Sequence, residues 1–362
     1  MHHSLRPFFA FAVILVFAST AQGQVYTLTK LGTLPGGSYI QLTGINASGQ
    51  ILGYGDVNAN GDTDNFIYQN GAFTDIGNPL FSVAGFNNGG TLVGSVNVGG
   101  ANHHAATYSS GSVHDLGANG GTTADGFAIN NSGQVTGYDF NIGVYNAFIY
   151  NGTATVTIGP DFAQGRAIND SGQVTGYYED TNNHSQTFFY NGTGTITIGP
   201  LPGDNYSGSS AMNNAGAIIG TSGVFGSSDN NGFLYSGGTL TNLGHLGTGT
   251  TIQPNAINNH GTIVGSAPLD PDYNQTDAFI YWGGALHDLN TILGANVLAA
   301  GGFQYLDNAI GINDAGQIIG TGIDLNGNEV AFVLVPEPGV GALLAGAGAL
   351  LLAGWRRRRA SK

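Results

Sequence analysis

The chain has 362 residues, 22 acidic and 8 basic side chains, a formal charge of −14 and no cysteine. Without cysteine, disulfide staples and thiol chemistry are excluded, so stability must come from packing and backbone pairing. Arg6, Arg356 to Arg359 and Lys362 lie at the ends, so the stretch between sets only Lys30 and Arg166 against 21 carboxylates, about 19 net negative charges. That excludes nucleic acid as a partner, disfavours direct binding of an anionic polysaccharide, and makes cations the favoured electrostatic partners.

From the N-terminus, residues 1–21 read as a signal peptide. Arg6 supplies positive charge, Phe8 to Phe17 is an apolar run too short to span a bilayer, and Ser19-Thr20-Ala21 offers small residues for cleavage. The protein is therefore expected to be exported. Residues 25–335 form the next unit, opening on Val25-Tyr26-Thr27-Leu28-Thr29-Lys30-Leu31-Gly32, which reads as a strand.

One phrase then recurs seven times: Ile45-Asn46 to Gly53, Phe86-Asn87 to Gly94, Ile129-Asn130 to Gly137, Ile168-Asn169 to Gly176, Met212-Asn213 to Gly220, Ile257-Asn258 to Gly265 and Ile312-Asn313 to Gly320. Each fits apolar-Asn-x-x-Gly-x-apolar-x-Gly. The asparagines are spaced by 41, 43, 39, 44, 45 and 55 residues, the period of a four-stranded propeller blade. The third copy predicts strands over Phe127–Asn130, Gln134–Tyr138, Ala147–Tyr150 and Thr155–Ile158. Asn130 and Gly133 suit a hairpin turn, Asn by accepting from backbone two residues on and Gly by taking positive φ. The asparagines thus read as turn formers, with a ring of pore ligands as the functional alternative.

A second phrase follows each first one: Phe66-Ile67-Tyr68, Ala106-Thr107-Tyr108, Phe148-Ile149-Tyr150, Phe188-Phe189-Tyr190, Phe233-Leu234-Tyr235, Phe279-Ile280-Tyr281 and Phe332-Val333-Leu334. Alternation puts its first and third residues on one face, where they can pack between blades. The seventh unit stops at Leu334 without a last strand, and Val25 to Gly32 has the pattern of the missing one. The expected fold is all-β: a seven-bladed β-propeller of four-stranded antiparallel blades, closed by the N-terminal strand, plus one C-terminal transmembrane helix. An open β-solenoid is the alternative.

The two phrases, with endings of the Asp75-Ile76-Gly77 and Asp115-Leu116-Gly117 type, resemble the HAF family of extracellular repeats over roughly residues 25 to 335. The histidine of that family's motif occurs here only at His104; the equivalent positions hold Asn65, Asn146, Gln186, Asn231, Asp277 and Val330. The resemblance therefore implies location and architecture rather than chemistry.

Chemistry is sparse along the repeats. Asp56-Val57-Asn58-Ala59-Asn60-Gly61-Asp62-Thr63-Asp64 copies the first part of a calcium loop, with side-chain oxygens on Asp56, Asn58, Asn60 and Asp64, and Asp62 at the carbonyl position. The twelfth position, Ile67, lacks the bidentate carboxylate, so Ca2+ is a candidate cofactor and an acidic hairpin turn the competing reading. Looser matches are Asp270, Asp272, Asn274 and Asp277, and Asp324, Asn326, Asn328 and Glu329. There is no Gly-x-Ser-x-Gly and no His-x-x-x-His zinc spacing, and His103 and His104, adjacent in a strand, face opposite sides. Tyr54, Tyr138 and Tyr177 could stack on sugars, with cross-strand packing as the competing role. No enzymatic activity is expected.

Residues 336–362 form a tail: Pro336-Glu337-Pro338, an apolar stretch from Gly339 to Trp355, and Arg356, Arg357, Arg358 and Arg359. Seventeen apolar residues at 1.5 Å each reach about 25 Å, enough for a thin hydrocarbon core, and the arginines would stop transfer on the cytoplasmic side. This order closely resembles the PEP-CTERM sorting signal of Gram-negative bacteria. The resemblance implies recognition and cutting near Pro336-Glu337-Pro338 by an exosortase, a transient inner-membrane intermediate, and delivery to the cell surface or outside. The expected function is a non-catalytic scaffold or adhesion module, with the extracellular polysaccharide matrix as a candidate partner; the alternative is a secreted carbohydrate-binding or carbohydrate-active propeller enzyme.

Overall fold

The computed structural model describes residues 25–58, 61–270, 272 and 275–337. The two terminal segments, Met1–Thr27 and Pro336–Lys362, separate from a propeller body spanning Leu28–Val335. Within the terminal unit, the Glu337 amide donates to the Val25 carbonyl at 2.7 Å and the Thr27 hydroxyl donates to the Glu337 carboxylate.

Seven four-stranded sheets make up the fold, each paired antiparallel in sequence order from the inside outward, except the last. Their inner strands are Ile40–Ile45, Ser82–Phe86, Thr123–Ile129, Ala163–Ile168, Tyr206–Met212, Gln253–Ile257 and Phe303–Ile312. The last sheet orders Tyr26–Lys30, Glu329–Pro336, Ile318–Asp324 and Phe303–Ile312, so the N-terminal strand is its fourth member. In the body this closure shows as the Leu31 amide donating to the Ala331 carbonyl at 2.9 Å. Pairing the first strand with the last blade leaves no open sheet edge at the join.

The phenylalanines of the second phrase are the core. Phe66, Phe148, Phe188, Phe233, Phe279 and Phe332 are among the largest fully buried side chains. Phe66, Phe188, Phe233, Phe279 and Phe332 sit in space left by the last glycine of the first phrase. A Cβ on Gly53, Gly176, Gly220, Gly265 or Gly320 would lie 2.5 to 2.9 Å from the ring of its own blade's phenylalanine. It would also strike the inner strand: the Gln164 carbonyl oxygen stands 1.8 Å from a Cβ on Gly176, and the Asp125 oxygen 1.8 Å from one on Gly137. Glycine is therefore required there by close backbone approach.

That approach comes with a β-bulge that recurs in every inner strand. The register skips one residue between Leu42 and Gly44, Val83 and Gly85, Gly126 and Ala128, Gly165 and Ala167, Ser209 and Ala211, Pro254 and Ala256, and Ala309 and Gly311. The extra residue breaks the strict two-residue alternation and re-aims its side chain.

The long sixth spacing holds an element that strand periodicity did not foresee, helix α1 (Leu289–Gly301). Asp288 caps it, accepting from the Asn290 and Thr291 amides, and Gly302 ends it at φ 85°. The expected transmembrane helix is corrected here. The helix present is this 13-residue one, and among the described residues none is long and apolar enough to cross a membrane. Gly339 to Trp355, where the span was expected, lies outside the described residues, as do Pro338 and Arg356 to Arg359.

Candidate functional site: the axial channel

The seven asparagines close one end of the channel. Each side-chain oxygen accepts backbone amides of its own turn, as Asn130 does from Ser132 and Gln134 at 3.1 and 2.9 Å. The turn glycines Gly49, Gly90, Gly133, Gly172, Gly216, Gly261 and Gly316 take φ of 73° to 80°, as the turn chemistry requires. Each asparagine Nδ2 then donates to the carbonyl of the next blade's asparagine: Asn46 to Asn87, Asn87 to Asn130, and so on to Asn313, which returns to Asn46. The seven bonds measure 2.9 to 3.3 Å and form a complete circle. The asparagines are thus turn formers and, beyond what the sequence predicts, staples between blades.

A second, incomplete circle lies beside it. Ala47, Asn88, Asn131, Asp170, Asn214 and Asn259 amides donate to the side chains of Asn88, Asn131, Asp170, Asn214, Asn259 and Asp314 at 2.8 to 3.0 Å. Ala47 has no side-chain acceptor to extend the series. A cavity of about 220 Å³ lies at this polar end. Burial alone would raise the Asp170 carboxyl, but the Asn131 backbone and side chain and the Asn214 side chain outweigh it and hold it below the usual range.

Roughly 10 Å along the strands, three residues before each asparagine, lie the bulged residues: Thr43, Ala84, Phe127, Arg166, Ser210, Asn255 and Ile310. The asparagines and glycines of the phrase that follows repeat, whereas these seven differ in size, polarity and charge. A cavity of about 540 Å³ is lined by Ala84, Phe127, Arg166 and Ser210 of this set, together with Tyr177 and Gln253.

Arg166 organises that wall. Its Nη2 donates to the Tyr177 hydroxyl at 2.9 Å, and the Tyr177 hydroxyl donates to Gln164 Oε1 at 3.1 Å. The guanidinium carbon stands 4.4 Å from the Phe127 ring centroid and 5.1 Å from that of Tyr177. Beside it, Asp125 faces His103 Nε2 at 3.0 Å. Burial, and then the hydrogen bond with Asp125, push the Tyr138 phenol upward.

The positions singled out from sequence are placed as follows. Asp56 is buried and turns away from its loop, accepting from the Ser38 and Tyr39 amides and the Ser38 hydroxyl. These bonds, the Tyr39 amide foremost, lower its carboxyl. Asn58 donates to Asp62, and Asp64 accepts from Asn78, while Asn60 lies outside the described residues. Asp56 and Asp64 thus meet partners outside the loop, and among the described residues no group of three His, Asp or Glu could hold a metal. Asp324 accepts from the Asn326 and Asn328 amides, which makes its segment a hairpin turn. His103 and His104 meet different partners, Asp125 and Asp115. Pro336 ends the last strand and Glu337 follows it. Tyr177 is the sugar-stacking candidate that reaches the channel cavity. In the sequence Arg166 counts only as a charge; the signal is a lone arginine at a variable position of the repeat.

No protein-family model and no curated protein matches the chain. Solved structures do. The β-propeller domain of the trilobed protease from Pyrococcus furiosus superposes with a TM-score of 0.50 at 9% identity, covering 70% of this chain and 83% of that one. Oligogalacturonate lyase in complex with manganese gives 0.52 at 10% identity, over 87% and 92%. Pyrococcus horikoshii acylaminoacyl peptidase gives 0.51 at 9%, over 84% of this chain and 53% of that one. Likeness at this identity is one of fold, the β-propeller. It corrects the expectation of no enzymatic activity: the same architecture carries a lyase and a peptidase, so the lack of familiar nucleophile and zinc motifs does not exclude catalysis.

Proposed function

We propose that this is an exported propeller of the cell surface or extracellular matrix that binds carbohydrate in its axial channel, as scaffold or adhesion module, after sorting through Pro336-Glu337-Pro338 by an exosortase-like enzyme. The observation that carries the reading is the ring of bulged residues. A ring that only had to close would repeat Thr43, Ala84, Phe127, Arg166, Ser210, Asn255 and Ile310 as faithfully as it repeats its asparagines. Chemical variety along the axial wall is what a recognition surface needs.

The chemistry of the wall supports a sugar. Ser210, Thr221 and Gln253 supply hydroxyl and amide groups for sugar hydroxyls, and Phe127 and Tyr177 supply ring faces. A lyase named for a saccharide shares the fold. Processing is compatible with this role, because the last described strand ends at Pro336 and a cut after Glu337 would leave every described strand in place.

Sedimentation of the secreted protein with extracellular polysaccharide from the producing cells tests the reading. It predicts co-sedimentation that Ser210→Trp, which fills the cavity, abolishes; protein left in the supernatant, or pulled down equally well by the variant, rejects it. A second reading, in which the same cavity transforms its saccharide, is favoured by the hydrogen bond from Arg166 to the Tyr177 phenol. Mass spectrometry of the saccharide after incubation separates the two: only the second predicts a new product.

A further inference from the structure

We propose that the cavity beside Arg166 is a carboxylate subsite, taking a small hydroxylated carboxylic acid whose sugar form is a uronic acid. The inference rests on the carbohydrate reading above and narrows it to a charged class of sugar.

The argument starts from charge. Among the described residues, lysine and arginine occur at Lys30 and Arg166. Lys30 is paired with Asp324 at 2.7 Å, whereas among the described residues no carboxylate lies within salt-bridge distance of Arg166. A domain with 21 carboxylates has kept its one carboxylate-free guanidinium in a cavity instead of spending it on an ion pair. The nearby carboxylate, Asp125, is engaged by His103 and Tyr138.

Geometry then restricts the ligand. A guanidinium carries five N–H donors, and Tyr177 takes one at 2.9 Å. Phe127 and Tyr177 fix the plane of the group, so the remaining donors form a pre-set fork of the kind that matches a carboxylate with two parallel bonds. Ser210 and Gln253, 3.5 Å apart, offer further groups across the cavity.

The surrounding field sets the charge the ligand can carry. One guanidinium balances one carboxylate, while the net negative body repels a densely charged polyanion at long range. The site therefore suits a single uronate, at the end of or isolated along an otherwise neutral saccharide.

Isothermal titration of the full chain with methyl galacturonoside and with the neutral methyl galactoside tests this. The proposal predicts that the acid binds and the neutral sugar binds at least about tenfold more weakly, that Arg166→Gln weakens the acid by a similar factor, and that added salt does the same. Ser210→Trp, which leaves the arginine in place, is expected to abolish binding with an unchanged melting temperature, so a folding defect in the arginine variant would not obscure the result. Equal binding of acid and neutral sugar, insensitive to Arg166→Gln but lost in Ser210→Trp, overturns the carboxylate subsite and keeps the carbohydrate channel. Binding of neither sugar overturns the subsite, and the sedimentation assay then decides the channel separately.

Discussion

Lys30 and Asp324 form an ion pair, Nζ to Oδ2 at 2.7 Å, that clasps the end of the first strand to the last blade. The pair joins residues 294 positions apart, so it locks the closure on which the whole ring depends. Asp324 is buried while Lys30 is partly exposed. The Lys30 ammonium first, and the Asn328 and Asn326 amides with it, hold the Asp324 carboxyl far below the usual carboxylate range.

The pH dependence follows in sign. A carboxyl lowered in the folded state contributes stability that is present above its ordinary pKa and lost as pH falls toward the folded value. Thermal melts between pH 6 and pH 2 are therefore expected to show the parent losing melting temperature more steeply with acid than Asp324→Asn, which starts lower. Parallel curves for the two proteins would show that the clasp does not contribute.

Gly176→Ala is expected to destabilise by about 1–3 kcal/mol or more, because a methyl there overpacks a filled site. The added carbon would lie 1.8 Å from the Gln164 carbonyl oxygen and 2.9 Å from the Phe188 ring. Gly194→Ala, where nothing lies within 4 Å, is the control and is expected to be near neutral. Urea denaturation of both variants reads the difference.

Asn130→Ala tests the inter-blade circle. It deletes the acceptor for the Ser132 and Gln134 amides and the donor to the Asn169 carbonyl, all in a buried setting. Stranding these groups is expected to cost about 2–4 kcal/mol. Asn130→Asp keeps the acceptor and loses only the donor, so its midpoint in urea should fall between the two. An Asp variant as unstable as Ala would assign no separate value to the donor.

These predictions separate what the repeat spells out from what it conceals. The blades, the turn at Asn130 and Gly133, the packing of Phe148 and Phe188 and the completing strand at the N-terminus were legible, because each follows from local alternation or turn chemistry. The partner of each asparagine Nδ2 was not, since it lies about forty residues away on the next blade. Nor was the direction of Arg166: a bulge interrupts the two-residue period, so counting along the strand cannot say which way the extra side chain faces. The helix after Asp288 hid because its segment begins like the Asp-Leu-Gly endings of the other units, although the spacing of 55 residues signalled an insertion. At Asp56 the calcium-like spacing was real, but the neighbouring loop at Ser38 and Tyr39 claimed the carboxylate, a tertiary contact that a local motif cannot encode.

The central claim is that recognition resides on the axial wall, three residues before the asparagines, and a crystal structure of the protein soaked with methyl galacturonoside tests it most directly. The account predicts the sugar in the cavity lined by Ala84, Phe127, Arg166 and Ser210, its carboxylate within hydrogen-bond distance of the Arg166 guanidinium. Sugar bound on an outer strand with that cavity free of it would contradict the account.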